Sequence, residues 1–565
     1  MAKFDTMTRR NFLTGAAAAA LAGGVLGASS AIAEDPLYIP AEGIGTRYLK
    51  YPNPDEIGTV HDTDKVEDFD IVVVGTGVCG MCCGMVAAEQ APDAKILLID
   101  KMPVAGGNTN FAEINEGGLG MSWEEALAKA MEKVYGQYEL TDPFLFAHYY
   151  ADNGKVSAWY FTKRGVEQSP DHFYYKGHTG ASAIQHLVEQ CATLPEFANV
   201  EIRLNCQGIA LLKEDEHTVT GIQVKDVDTG EYININAKAV MLATGGMGTN
   251  TELLEYYTGE DVIEKTTPYG FGQDGDGHLM AEYTAHGRAK AVDPTPMWAL
   301  VKGMSLESPL NCCLAMQNAG VFVNQYGTRF HNENYAGSFV HVDHSFMQQG
   351  KVWSIVGQGL IDRFQEMGSD ARAFYYYNVP TDLSAELAEI DKYPSVVKAD
   401  SFAELAEKIG VPVEPFVADM ELYDEEAKAG TGDSKFGKDP SFMVPFGEPP
   451  YYACELSSLL MQTNNGIRIN TDCQVVDPYY VPVKGLYAGG IAVSGFNTSM
   501  YTMGTAQHVG LWSGCIGGLS IVKNELGIEP AEDWFGPEEF TGPLPDFANM
   551  ESTKPLPELD LLRIS

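Results

Sequence analysis

Hydrophobic positions in this chain fall into short runs closed by glycine turns. The first is Phe69-Asp70-Ile71-Val72-Val73-Val74, apolar nearly throughout rather than alternating. That pattern predicts a strand buried on both faces, as in a parallel sheet. It leads directly into Gly75-Thr76-Gly77-Val78-Cys79-Gly80. A small-residue stretch from Cys82 to Ala88 then predicts a helix, and Lys95 to Ile99 predicts a second strand ending in Asp100. Two later runs repeat the strand-then-glycine pattern, Ala239-Val240-Met241-Leu242-Ala243-Thr244-Gly245-Gly246 and Gly485-Leu486-Tyr487-Ala488-Gly489-Gly490. Residues 34–68 are polar without a clear period and predict a surface extension. Residues 526–565 are Pro-rich and acidic and predict a tail.

The first 33 residues follow another logic. Thr8-Arg9-Arg10-Asn11-Phe12-Leu13 precedes an Ala- and Gly-rich stretch, and Ala31-Ile32-Ala33 supplies the small residues a signal peptidase requires. Between Gly15 and Ala33 only Leu21, Val25, Leu26 and Ile32 are large and apolar, which is poor for a stable membrane span. The expectation is a twin-arginine signal at 1–33, and a mature chain without a membrane span in the periplasm or on the outer face of the envelope.

Composition narrows the picture. At 565 residues the chain exceeds one hydrophobic core. With 45% hydrophobic and 20% charged residues it is globular in type. Lys and Arg number 37 against 77 Asp and Glu, a net charge of −40, which repels phosphate backbones and excludes nucleic acid as a partner. Ten cysteines in this length argue against a disulfide-stapled scaffold.

The first glycine motif has a specific chemistry. Gly75 makes the tight turn, Gly77 lets a pyrophosphate approach the backbone, and Gly80 lets helix pack on strand. The following helix N-terminus stabilises phosphates. Asp100 is positioned to accept from a ribose hydroxyl. Glycine turns recurring from residue 75 to residue 490 suggest one large ligand touched repeatedly, which fits FAD better than NAD.

These pieces resemble the flavoprotein family of soluble fumarate reductases, succinate dehydrogenase flavoprotein subunits and ketosteroid dehydrogenases. The resemblance spans about residues 69–520. It rests on the opening glycines, Gly106-Gly107-Asn108-Thr109, Ala243-Thr244-Gly245-Gly246, Gly275-Asp276-Gly277, the Asn324 to Glu333 segment containing Gly327-Thr328-Arg329-Phe330, Thr463-Asn464-Asn465-Gly466, and Gly485 to Ala488, all in the family's order. It implies an α/β architecture: a Rossmann-like, glutathione-reductase-type FAD-binding domain in two parts, 69–292 and 463–525, with an α+β substrate-capping domain inserted at 293–462. It implies FAD contacts from Gly75, Gly77, Gly80, Asp100, Lys101, Gly106, Gly107, Asn108, Thr109, Ala243, Thr244, Gly245, Gly246, Asp276, Gly490, Met503, Gly504 and Ala506. Membrane-bound relatives attach flavin through a His where this chain has Asn108, so noncovalent FAD is expected. Residues 34–68 are too short for a haem or FMN-attachment domain, so electrons are expected from a separate cytochrome or quinol-linked protein.

The matched active-site positions depart from the fumarate reductases. Their basic groups are replaced by Asp293, Gln462, Gly337 and Tyr501. A buried dianion would lie there without compensation, which argues against a dicarboxylate substrate. On the ketosteroid-dehydrogenase side, Tyr335 follows Glu333 by two, and Thr502-Met503-Gly504-Thr505-Ala506 matches a segment at the flavin pyrimidine. The resemblance therefore implies Arg329, Tyr335 and Tyr501 as catalytic candidates and Gln462, Phe496 and Asp293 as substrate contacts, in a pocket suited to a neutral enone or aromatic enoate. Competing readings stand beside these. Arg329 reads equally as a structural ion pair to Glu333, Tyr335 as a core tyrosine, and Asp293 as a turn acid before Pro294. Cys79-x-x-Cys82 reads as a metal ligand pair or as small side chains where helix meets sheet; no metal is expected. Three functions are open: a C=C reductase, a C=C-forming dehydrogenase, and a flavin electron relay.

Overall fold

The computed structural model describes residues 56–536 apart from 113–121, 136–141, 169–174, 177–178, 259–264, 286–292, 307, 336–344, 371–378, 465 and 497–503, together with a short strand pair at 39–40 and 47–48. The expected signal at 1–33, Tyr501, Met503 and the tail beyond 536 lie outside the described residues.

Five strands organise the molecule: β1 (Ile71–Val74), β2 (Ile96–Ile99), β3 (Ala239–Leu242), β4 (Tyr451–Asn464) and β5 (Pro482–Ala488). β1, β2 and β3 are buried at every position, as their unbroken apolar runs require. They lie parallel in the order β5-β3-β1-β2, with Val200–Arg203 beyond β2. The register aligns their C-terminal ends: Ile99 lies opposite Val74, Val74 opposite Leu242, and Leu242 opposite Ala488. All four following turns therefore leave the sheet on one edge, where ligands of open α/β sheets bind. A three-stranded antiparallel ribbon, residues 206–236, extends the sheet beyond β5.

Four helices matter for the site: α1 (Val78–Gln90), α2 (Pro143–Ser157), α3 (Asp276–Ala285) and α4 (Thr505–Asn524). α4 lies against α1 through a stripe of small residues. A Cβ on Gly514 would sit 2.3 Å from the Cys79 carbonyl oxygen, and one on Gly518 would sit 2.7 Å from that of Cys83. Cys79, Cys82 and Cys83 are buried beside this helix contact, and the Cys79 thiol contacts Ser513 Oγ at 3.6 Å. Burial pushes that thiol up to about 12.

A second sheet is built around β4. Asp293–Val301, Val352–Val356 and Val396–Ala399 pair with it antiparallel, and Thr266–Pro268 pairs parallel. Its hydrophobic clusters draw on residues 269–459 and 321–453, whereas the main core draws on residues 57–281 and 467–534. The molecule is thus an α/β domain in two sequence parts with a second, sheet-centred domain, the cap, between them. β4 passes from the cap into the larger domain, so its last residues belong to both. No helix among the described residues is long and apolar enough to cross a membrane.

Candidate active site

The first glycine turn is held from several sides. A Cβ on Gly80 would fall 1.8 Å from the Gly75 carbonyl oxygen, and one on Gly75 would fall 2.3 Å from that of Ala243. Only glycine permits strand, turn and helix to approach this closely. At Gly77 the nearest atoms to an added Cβ are Thr109 Oγ1 at 3.5 Å and the Gly106 carbonyl at 3.6 Å, so space remains over the helix N-terminus. The side chain of Thr109 accepts from the Val78 N–H at 3.1 Å, and that of Thr76 accepts from the Gly106 N–H at 3.1 Å. The loops after β1 and β2 are thereby tied together.

Asp100 is more occupied than a free ribose acceptor. Its Oδ2 accepts from the Thr76 N–H at 2.9 Å and the Thr76 hydroxyl at 2.5 Å, and its Oδ1 accepts from the Met102 N–H at 2.9 Å. Burial raises its carboxyl above the usual range, outweighing these bonds. Lys101 is pinned between Asp274 and Asp276, at 2.8 Å from each. Those two carboxylates outweigh burial and raise its ammonium. Asp276 also accepts from Gln207 Nε2 at 3.2 Å. Lys101 and Asp276 thus lock the end of β2 to the start of α3.

The segment Gly106 to Thr109 faces the end of β4. Asn108 Nδ2 donates to the Met461 carbonyl at 2.9 Å, and its Oδ1 accepts from the Phe271 N–H at 2.8 Å. Gln273 Nε2 donates to the same Met461 carbonyl at 2.7 Å. Next along β4, Gln462 is buried and donates to Asn464 Oδ1 at 3.2 Å, while Thr463 Oγ1 accepts from the Met247 N–H at 3.0 Å. Gly246 lies against this strand: a Cβ there would meet Thr463 Oγ1 at 2.5 Å and Gln273 Oε1 at 3.0 Å. The side chains gathered here are amides and hydroxyls.

Arg329 is elsewhere. Its Nε and Nη2 donate to Glu333 at 2.9 and 2.6 Å, and Nη1 and Nη2 donate to Asp433 at 3.0 and 2.9 Å. The guanidinium lies against the rings of Tyr423 and Phe436, and it is 3% exposed. Lys438 Nζ stands 3.6 Å from Glu333, and it also donates to the Gly320 carbonyl. Arg329 is thus held inside the cap in buried ion pairs with Glu333 and Asp433. Phe496 is likewise drawn into the core. It packs among Phe146, Tyr149 and Trp512, between α2 and α4. Asp293 opens a cap strand opposite Asn464, and Tyr335 closes the short turn Glu333–Tyr335. Gly490 donates its N–H to Ser513 Oγ at 2.8 Å, and Gly504 caps α4.

The family model described as FAD binding domain matches residues 70–505. The chain belongs to this family. It is an FAD-dependent oxidoreductase. The vinyl phenol reductase of Lactiplantibacillus plantarum is 26% identical over 472 residues, covering 77% of this chain and 92% of that relative. The fumarate reductase (cytochrome) of Shewanella frigidimarina is 26% identical over 461 residues, covering 77% and 73%. The 3-ketosteroid-delta4-(5alpha)-dehydrogenase from Rhodococcus jostii RHA1 shares the fold, with TM-score 0.59 and 20% identity over 82% of this chain and 99% of that one.

The described residues fit FAD. The sheet edge offers backbone without Cβ atoms at Gly77, Gly107 and Gly490. Two buried oxygens there, Thr244 Oγ1 and Gln273 Oε1, have no hydrogen-bond partner among the described residues. Native interiors rarely leave such atoms unpaired without a ligand or water to meet them. Residues 70–112, 243–249, 269–277, 461–464 and 489–496 come together, and most of the expected FAD residues lie within these segments. Gln273 was not among the residues expected from the sequence. The only hint for Gln273 was its place in the glycine-dense run Gly270-Phe271-Gly272-Gln273-Asp274-Gly275.

Proposed function

We propose that this oxidoreductase is an exported reductase that saturates an activated C=C bond in a neutral or singly charged substrate, an enone or aromatic enoate, rather than a dicarboxylate. One observation carries the reading. The five side chains that meet at the end of β4, Asn108, Gln273, Gln462, Thr463 and Asn464, are uncharged, and the arginine of the matched motif is paired with two carboxylates. Seating a dianion against amides alone would cost several kcal/mol of uncompensated desolvation. A relative named for a vinyl phenol supports a substrate without two carboxylates.

When bound, FAD supplies the hydride, and two electrons per turnover come from a separate cytochrome or quinol-linked protein. The chain's own part is to orient the activating group, exclude water and deliver one proton to the neighbouring carbon. Gln462 orients the carbonyl or phenol by hydrogen bonding. The hydroxyl of Tyr335 or Tyr501 carries the proton without adding charge. Residues 293–462 form the lid over this chemistry, and FAD is held noncovalently with Asn108 beside it. Export follows from residues 1–33.

The test is turnover by the purified FAD-loaded protein with reduced viologen as donor. Aromatic acrylates, vinyl phenols and steroid enones should be reduced, and fumarate should not. Fumarate turnover matching that of the best aromatic substrate would overturn the reading, as would electron exchange with a cytochrome but no turnover of any alkene.

A further inference from the structure

Gln273 presents a buried acceptor that no described residue uses. The residue is 2% exposed. Its Nε2 donates to the Met461 carbonyl at 2.7 Å, which fixes the amide orientation and makes Oε1 the free end. Its main-chain carbonyl is held by Thr249, from the N–H at 3.0 Å and the hydroxyl at 2.8 Å, so the residue is anchored at both ends. Oε1 has no hydrogen-bond partner among the described residues. It faces Gly246 and Gly248, where added Cβ atoms would lie 3.0 and 3.8 Å away. Gly270 sits at the other side of the amide, where a Cβ would fall 2.6 Å from Nε2. Glycine on both flanks leaves no Cβ against the amide, where one would crowd it at 2.6–3.8 Å.

A buried carbonyl oxygen left without a donor is costly, and an anchored one cannot turn away to find another. We infer that Gln273 is a cofactor-binding residue, its carboxamide oxygen accepting a hydrogen bond from an O–H or N–H of bound FAD. This rests on the FAD reading and adds to it a residue outside the glycine turns. Gln273 thereby links the cofactor to β4: the amide that meets FAD also holds Met461, the residue before Gln462. Seating of the cofactor and placement of the substrate-side strand are coupled through one side chain.

The test is FAD binding to apoprotein, followed by flavin fluorescence, with thermal unfolding of the apoprotein alongside. Wild-type protein must bind FAD; if it does not, the cofactor reading fails before the inference is reached. Gln273→Met keeps the volume but removes the acceptor. FAD should bind at least about tenfold more weakly, while the apoprotein melts no earlier than wild type, because an unpaired buried oxygen has been removed along with one hydrogen bond. Affinity within about twofold of wild type would overturn the inference. So would an apoprotein melting well below wild type with FAD affinity retained, since that marks a purely structural amide. Should Gln273→Met not fold, Gln273→Glu serves. When protonated, near about pH 5, it keeps a donor toward Met461 and an acceptor toward FAD, and should bind as wild type does. Near about pH 8, ionised against the Met461 carbonyl, it should bind FAD at least about tenfold more weakly. A Gln273→Glu affinity that tracks wild type across that range would refute the assignment.

Discussion

Removing Arg329 tests the separation of clamp from chemistry. Arg329→Met keeps the length and apolar stem of the side chain but deletes the cation between Glu333 and Asp433. The side chains of both carboxylates are fully buried. Lys438, 3.6 Å from Glu333, remains as partial compensation. Burial raises the Glu333 carboxyl, but Lys438 and Arg329 outweigh it and hold it below its usual range. Burial likewise opposes ionisation of Asp433, and Arg329 holds that group at about 2. Deleting the shared cation leaves two acids without their main partner, and breaking a buried pair in this way costs about 3–5 kcal/mol. For a cap of this size each kcal/mol moves the midpoint by roughly 2–4 °C, so the cap transition should fall by roughly 6–20 °C. Differential scanning calorimetry of the FAD-loaded protein reads this directly. Activity per mole of folded protein, measured well below the transition, should stay within a few-fold of wild type. A variant with an unchanged melting profile and activity reduced more than about a hundredfold would refute the clamp and return Arg329 to the proton path.

Other consequences follow from the same geometry. His508 is fully buried and burial holds its imidazole at about 3, so it stays neutral in the folded protein at pH values where an unfolded histidine is charged. The unfolded chain then binds the extra proton, and stability falls as pH drops below about 6.5. His508→Leu should reduce the slope of unfolding free energy between about pH 6 and pH 4 by about 1.4 kcal/mol per pH unit; an unchanged slope in denaturant titrations would count against a neutral buried ring. Gly80→Ala places a Cβ 1.8 Å from the Gly75 carbonyl oxygen, so the purified protein should carry little or no flavin absorbance, and full FAD occupancy would show that the turn can shift. All ten cysteines are free and buried. Ellman's reagent should find about none in the native protein and the full set after denaturation, whereas rapid native alkylation that abolishes activity would point to a functional thiol.

Much of the architecture is legible in the sequence. The run Ile71–Val74 with Gly75, Gly77 and Gly80 specifies strand, turn and helix through local sterics, and the later glycine turns do the same at β3 and β5. These are short-range constraints, each contained in a few consecutive residues, and their order identifies an FAD flavoprotein. What Arg329, Phe496 and Cys79 do was not legible, because each depends on partners far away along the chain. Arg329 becomes a clamp because Asp433 meets it across 104 residues. Cys79 becomes packing because α4 brings Gly514 onto its backbone. Phe496 becomes core because α2 and α4 close around it. Asn108 and Gln273 converge on one carbonyl of β4 only once the cap has been threaded between the two parts of the FAD domain. The cofactor class and the framework can be read from short stretches of chain, since backbone geometry is written locally. The tertiary structure decided which polar groups are consumed by the protein and which are left for ligands, since a hydrogen bond or ion pair exists only where folding brings donor and acceptor within about 3 Å.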